Sequence, residues 1–182
     1  MHPLSSTGNA PTLHLVCGKI GAGKSTLSQQ LVAQPCHVLI SEDTWLAALY
    51  PDQIHSVADY LRRASALRAA LTPHVRAILQ AGVSVVLDVP FNTPAARAWG
   101  RGLFESAGVA HQLHFLDVPD AICKARLRAR NARGEHPFQA SDDAFEQITR
   151  HFVAPAPEEG FVVIRHAQEG ERLRTATFSR SL

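Results

Sequence analysis

The residues whose types and spacing can do chemistry begin at Gly18-Lys19-Ile20-Gly21-Ala22-Gly23-Lys24-Ser25, a complete G-x-x-x-x-G-K-S run. A backbone that curls through such glycines turns successive N–H groups inward at a helix start and cradles phosphate. Lys24 is then placed to reach the β- and γ-phosphates, and the Ser25 hydroxyl to ligate Mg²⁺. The apolar run Leu13–Cys17 precedes the loop and Thr26–Leu31 follows it, giving the strand, loop and helix that the motif requires. Gly18, Gly21, Ala22, Gly23, Lys24, Ser25 and Thr26 are therefore the expected phosphate cradle of a nucleoside triphosphate.

Two groups of acids extend this chemistry. Val85-Val86-Leu87-Asp88 is an apolar run ending in a carboxylate, the form of a strand whose tip holds Mg²⁺ directly or through water. Asp88 joins Ser25 as a metal residue on this reading. Ser41-Glu42-Asp43 follows a second short apolar run, so both acids can reach the same cleft. Phosphoryl transfer to a hydroxyl needs a carboxylate to accept its proton. Asp43 is the favoured base and Glu42 the alternative; both acids equally suit the first turn of a helix capped by Ser41.

The basic residues are mostly arginine, 15 of 18, and five crowd between Lys124 and Arg133 without one acid. Arginine suits bidentate phosphate contacts. Arg126, Arg130 and Arg133 recur at helical spacing on one face. Arg126 and Arg130 are expected to close over the triphosphate and neutralise charge in transfer. Arg97, one turn into the helix after Asp88–Asn92, is open to two readings, a contact to acceptor or phosphate and a surface position. Trp45 and Tyr50 line an acceptor pocket or pack in the core, with packing the simpler expectation. None of the 10 histidines has metal-ligand spacing, and Cys17 reads as a small buried residue.

The elements that must position these residues alternate short β-like runs with helical ones. Strands are expected at Thr12–Cys17, His37–Ile40, Val83–Leu87, His111–Leu116 and Phe161–Ile164. Helices are expected at Lys24–Ala33, Asp43–Leu49, Ser56–Gln80, from Thr93-Pro94 to about Ser106, at Asp120–Ala132 and at Asp143–Phe152, with Pro73 a kink or division of the long one. Such alternation implies a mainly parallel sheet with helices on both faces. Right-handed crossovers bring the loops after the strands to one edge, where the glycine loop, Ser41–Thr44, Asp88–Thr93 and Asp117–Asp120 converge.

At 182 residues, 46% apolar and 19% charged, the chain suits one α/β domain. Residues 1–11 read as a flexible leader without a secretory pattern, residues 12–168 as the domain with a lid at about 126–143, and residues 169–182 as a loose basic tail. The apolar runs are strand-length, too short for a membrane span. Three scattered cysteines suggest reduced, packed thiols and a cytoplasmic setting. A formal net charge of +2 implies no bulk attraction to nucleic acid.

Taken together, the chain resembles the small P-loop kinases of the AAA_33 / zeta-toxin-like group, whose relatives include the kinase domain of polynucleotide kinase and chloramphenicol phosphotransferase. The likeness covers Thr12 to Ile164. It rests on Gly18–Ser25, Ile40–Asp43, Leu87–Asn92 followed by Arg97, Arg126-Leu127-Arg128-Ala129-Arg130, and Phe152…Pro155…Pro157–Gly160. The resemblance implies a three-layer P-loop NTPase fold with a five-stranded parallel sheet in the order 2-3-1-4-5 and an arginine-bearing lid. It maps the base onto Asp43 and the nucleotide-contacting lid onto Arg126 and Arg130. Polynucleotide kinases typically flank that acid with arginine, whereas Asp43 lies between Glu42 and Thr44, a poor match for a polyanionic 5′ end.

The resulting expectation is an ATP- and Mg²⁺-dependent kinase of a small hydroxylated acceptor, with Lys24, Asp43, Arg126 and Arg130 as its catalytic residues. A 5′-hydroxyl nucleic-acid kinase and a nucleotide-binding ATPase or switch acting through a protein partner are the alternatives. No membrane and no obligate protein partner is implied.

Overall fold

The structure is a computed structural model that describes residues 10–134, 141–169 and 172–178. Most of the expected leader, part of the lid (135–140) and the ends of the expected tail lie outside the described residues. Along the chain run β1 (Thr12–Cys17), α1 (Lys24–Val32), β2 (His37–Ser41), α2 (Glu42–Leu49), α3 (Val57–Gln80), β3 (Ser84–Pro90) and α4 (Pro94–Ala107). They are followed by β4 (Ala110–Asp117), α5 (Asp120–Arg133), α6 (Asp142–Thr149), a 3-10 turn at Pro157–Glu159, β5 (Val163–Glu169) and β6 (Arg172–Phe178).

The sheet order is β2-β3-β1-β4-β5-β6. The first five strands are parallel and carry the expected 2-3-1-4-5 order. The sixth is a correction to both the strand count and the loose tail. Arg172–Phe178 folds back antiparallel on β5, pairing Glu169 with Arg172 and Val163 with Phe178. Its Arg-Leu-Arg-Thr-Ala-Thr-Phe sequence alternates and holds β-branched and aromatic residues, a strand signal that its basic charge obscured.

Period-2 alternation splits the core. Leu13, Leu15 and Cys17 of β1 join Leu67, Leu71, Val75 and Leu79 of α3 and Leu103 and Phe104 of α4 in the larger cluster. Leu116 of β4, with Cys123 and Leu127 of α5 and Phe145 of α6, forms a smaller one that takes in Ala22 of the glycine loop. Pro73 does not divide α3, since the helix runs unbroken over 24 residues. A helix-interior proline costs about 3 kcal/mol. The four buried residues that straddle it, Leu67, Leu71, Val75 and Leu79, each gain about 1.5–3 kcal/mol, which outweighs that cost.

Side-chain caps set the helix starts. Ser56 Oγ accepts from Asp59 N and Thr93 Oγ1 from Ala96 N, with Pro94 in the first turn of α4. Gly108 ends α4 in the left-handed conformation. No helix among the described residues is long and apolar enough to cross a membrane.

Candidate active site

The loop between β1 and α1 is shaped by two close approaches. Gly21 has φ +78°, and a Cβ there would lie 2.4 Å from the backbone oxygen of Cys123 in α5, so only glycine lets the loop press against that helix. Gly23, at φ +103°, turns the chain into α1. The Ala22 methyl is buried against Leu116 and Leu127, which pins the loop from below. At its start Gly18 N donates to Asn92 Oδ1 at 2.9 Å, and at its end Ala22 O accepts from Arg126 Nη1 at 3.1 Å.

Lys24 bends back over the loop, its ammonium donating to Gly18 O at 2.7 Å and Lys19 O at 3.0 Å. Burial lowers its pKa, opposed by the Asp88 carboxylate first and Asp43 more weakly. Both acids are thus within electrostatic reach of the loop lysine. Their placement follows from the sheet: Ser41 pairs with Asp88 at the ends of β2 and β3, and Asp43 is two residues further on. Ser25 and Thr26 are exposed in the first turn of α1. Ser25 and Asp88 offer hard oxygen donors, the ligand chemistry that Mg²⁺ takes.

The two acids of Glu42-Asp43 part company. Glu42 is 1% exposed and turns into the α2–α3 packing. Arg68 reaches it with Nε to Oε2 at 2.6 Å and Nη2 to Oε1 at 3.0 Å, and the Tyr60 hydroxyl donates to Oε1 at 2.7 Å. A carboxylate so occupied is part of a buried ion pair, and its charge does not face an acceptor. The mismatch that Glu42 seemed to present to a polyanionic acceptor is therefore removed by Arg68. The Asp43 charge instead acts on Lys24 and Arg130, as well as on Tyr60.

The arginine helix lies beside the loop. Arg126 holds Ala22 O, while Arg133 is exposed near the end of α5. Arg130 is half-buried, and its Nε and Nη2 have no hydrogen-bond partner among the described residues. Burial lowers its pKa while Asp43 opposes the shift. Guanidinium donors left unsatisfied beside a phosphate loop suit an anion absent from the structure.

Neither reading of Arg97 holds. It is fully buried. Its guanidinium binds Glu159 at 2.6 and 2.8 Å and donates to Phe91 O at 3.1 Å and Val153 O at 2.8 Å. It thereby ties the segment after β3 to residues 153–159, and Asn92 O accepts from Val153 N at 2.9 Å. Asn92, whose side chain holds Gly18, is thus braced from behind by Arg97. Nothing local in the sequence marks Asn92, Tyr60, Arg68 or Glu159 for these contacts. The arginine and glutamate pairs are 26 and 62 residues apart, too distant for a local pattern to reveal.

The thiols are free, with Cys17 and Cys123 buried as expected and Cys36 exposed against expectation. Burial pushes the Cys17 thiol up to about 12, so it stays protonated behind the loop. Trp45 is 42% exposed, and Tyr50 packs at the margin of the core. Among the described residues no cluster of histidine, cysteine and acid could hold a metal ion. The histidines do one thing that spacing hid. His14 Nδ1 meets His114 Nε2 at 3.2 Å, and His114 Nδ1 meets His166 Nε2 at 3.1 Å, in a buried row across β1, β4 and β5.

A mainly parallel sheet in this order, with the glycine loop opening α1 and acids after the neighbouring strands, defines a P-loop NTPase fold. The chain belongs to the AAA_33 family, an AAA domain, whose model matches residues 13–155. No curated protein sequence matches it. Among solved structures it is similar to a presumptive kinase from Chloroflexus aurantiacus j-10-fl, at 23% identity and TM-score 0.69, covering 87% of this chain and 85% of the other. Chaetomium thermophilum Kti12 in complex with ADP-AlF3 follows at 20% identity and TM-score 0.68, covering 88% and 91%. Mycobacterium tuberculosis APS kinase CysC, in complex with AMPPNP and APS, matches at 21% identity and TM-score 0.59, covering 91% of each chain. These likenesses extend to the fold.

Proposed function

We propose that this chain transfers the γ-phosphate of ATP to a hydroxyl of a small molecule. The observation that supports the reading is the glycine loop itself, with the Lys24 ammonium folded back onto Gly18 O and Lys19 O and the charges of Asp88 and Asp43 acting on it. Asp43 takes the proton of the acceptor hydroxyl as its oxygen bonds to the γ-phosphorus. The bond from that phosphorus to the β–γ bridging oxygen breaks, and its electron pair leaves on ADP.

Backbone N–H groups of the loop and Lys24 hold the phosphates, and Lys24 exchanges its two carbonyl partners for phosphate oxygens. Arg126 and Arg130 neutralise the transferring group. Ser25 and Asp88 would hold Mg²⁺, which when bound offsets phosphate charge. With Glu42 neutralised by Arg68, the preference for a small acceptor over a nucleic-acid 5′ end rests on the modest net charge of +2 and on the lack of an arginine flanking Asp43 in sequence.

The test is transfer of γ-labelled phosphate from Mg·ATP across hydroxylated metabolites, nucleosides, antibiotics and 5′-hydroxyl oligonucleotides. Label on one small acceptor, lost in Lys24→Ala and Asp43→Asn, supports the reading. Label on oligonucleotides alone replaces the acceptor class. ATP hydrolysis stimulated only by a protein partner replaces the kinase with a switch.

A further inference from the structure

A groove of about 460 Å³ runs between α3 and α4, within the range of small-molecule sites. Tyr60, Leu61, Ala64, Arg68, Thr72 and Trp99 line it. One wall is prebuilt: the Trp99 ring stacks on Phe91 with centroids 5.7 Å apart, and its Nε1 donates to Thr72 Oγ1 at 3.0 Å. Thr72 is itself held by Arg68 O at 2.8 Å. The wall therefore needs no ordering when a ligand arrives.

Charge decides what the groove takes. Its one cationic group, Arg68, lies 5.6 Å over the Trp99 ring and is already paired to the buried Glu42. An anion entering here meets a cation whose charge is already spent on the Glu42 carboxylate, with the Asp43 charge also reaching the lining residue Tyr60. The remaining lining is aromatic, aliphatic or hydroxyl. The surroundings are apolar too. Of the seven large apolar side chains exposed on the described surface, Trp45, Leu49, Val57 and Leu61 belong to α2 and the first turns of α3.

The groove borders the residues that carry Asp43 through Tyr60. Tyr60 both lines it and lies within electrostatic reach of Asp43, and its hydroxyl is bonded to the residue before Asp43 in sequence. We propose that this groove holds the apolar or aromatic body of an uncharged acceptor alcohol, with Trp99 as its wall and the Glu42–Arg68 pair excluding anionic acceptors. The proposal rests on the kinase reading for the word acceptor, and on the groove alone for the class of ligand.

The test separates the two. The chain has two tryptophans, so indole N–H resonances assigned with Trp45→Phe report each ring. Titration with 2-phenylethanol is expected to shift the Trp99 signal saturably, while phenyl phosphate binds at least tenfold more weakly. Ala69→Leu, at an exposed helical position lining the groove, is expected to weaken 2-phenylethanol at least tenfold and leave ATP affinity unchanged. Glu42→Gln, if folded, narrows or reverses the preference over phenyl phosphate by freeing the Arg68 charge. An unshifted Trp99, phenyl phosphate binding as well as the alcohol, or no effect of Ala69→Leu overturns the proposal. So does a Trp99 signal that changes with protein concentration alone alongside a dimer in sedimentation, which assigns the groove to a second copy of the chain. Saturable binding with no labelled product from any acceptor in the panel sinks the kinase reading and leaves the groove. Label on an alcohol that leaves Trp99 unmoved does the reverse. Label on charged acceptors alone overturns the acceptor role proposed for the groove.

Discussion

Arg68 meets Glu42 through two nitrogens, at 2.6 and 3.0 Å, across the packing of α2 against α3. The pair fixes the helix that carries Asp43 to the helix that walls the groove. Removing one partner of a buried pair leaves the other uncompensated, typically at a cost of about 3–5 kcal/mol. Glu42→Ala should therefore lower stability by about 3 kcal/mol, read as a reduced urea midpoint at unchanged m-value. A loss below about 1 kcal/mol would mean that water replaces Glu42 around Arg68.

Asp43 and Lys24 should separate chemistry from binding. Asp43→Asn is expected to cut transfer by about 10²–10⁴ with nucleotide affinity retained, the range for a lost general base. Lys24→Ala removes charge-assisted hydrogen bonds worth about 1.5–3 kcal/mol each and should weaken ATP by at least tenfold in calorimetry. Equal loss of both properties in both variants would dissolve the division of roles.

Arg130 has two buried nitrogens without hydrogen-bond partners among the described residues. Replacing it by methionine removes desolvation that the Asp43 charge only partly offsets, so the ligand-free protein should lose little or no stability. The rise in Tm on adding ATP should shrink instead, because ligand stabilisation scales with affinity. A large fall in the ligand-free Tm with the ATP increment intact would show Arg130 to be structural.

The buried histidine row gives stability a pH dependence. His14 is lowered to about 4, by burial first and by His37 second, and His114 to about 3, by burial and its histidine neighbours. Both lie below the ordinary 6.5, so between those values the unfolded chain binds more protons than the folded one. Stability is therefore full above about pH 6.5 and falls as pH drops toward 4 and then 3. Urea midpoints from pH 7 to 4 should decline, and His114→Phe should flatten the decline. An identical slope in the variant would place the titration elsewhere.

Two glycines should respond oppositely to a methyl group. Gly21→Ala meets the Cys123 carbonyl at 2.4 Å with φ at +78°, so it should cost more than the usual 1–3 kcal/mol of backbone strain and weaken ATP. Gly102, in α4 with nothing within 4 Å, should gain about 0.5–1 kcal/mol as alanine. Chemical denaturation of both variants checks the pair.

What the sequence disclosed and what it hid follow from range. The loop, the strand-tip Asp88 and the arginine spacing of α5 are local patterns; periodicity yielded the alternating strands and helices of a mainly parallel sheet, and the family resemblance supplied its 2-3-1-4-5 order. Pro73 misled because propensity is local while the burial that overrides it comes from the sheet. Arg97 and Glu42 were charged residues whose partners lay far along the chain, so their burial was invisible until the fold brought Glu159 and Arg68 to them. The β6 strand was hidden by its arginines, which a sheet edge tolerates well.

That last strand settles a practical geometry. Because β6 runs antiparallel to β5, whose end lies on the same sheet edge as the phosphate loop, the chain passes residue 178 at the opposite end of the sheet. A fluorescent protein, surface tether or affinity handle joined beyond it would hang below the molecule, leaving the nucleotide cleft and the α3–α4 groove open to small molecules.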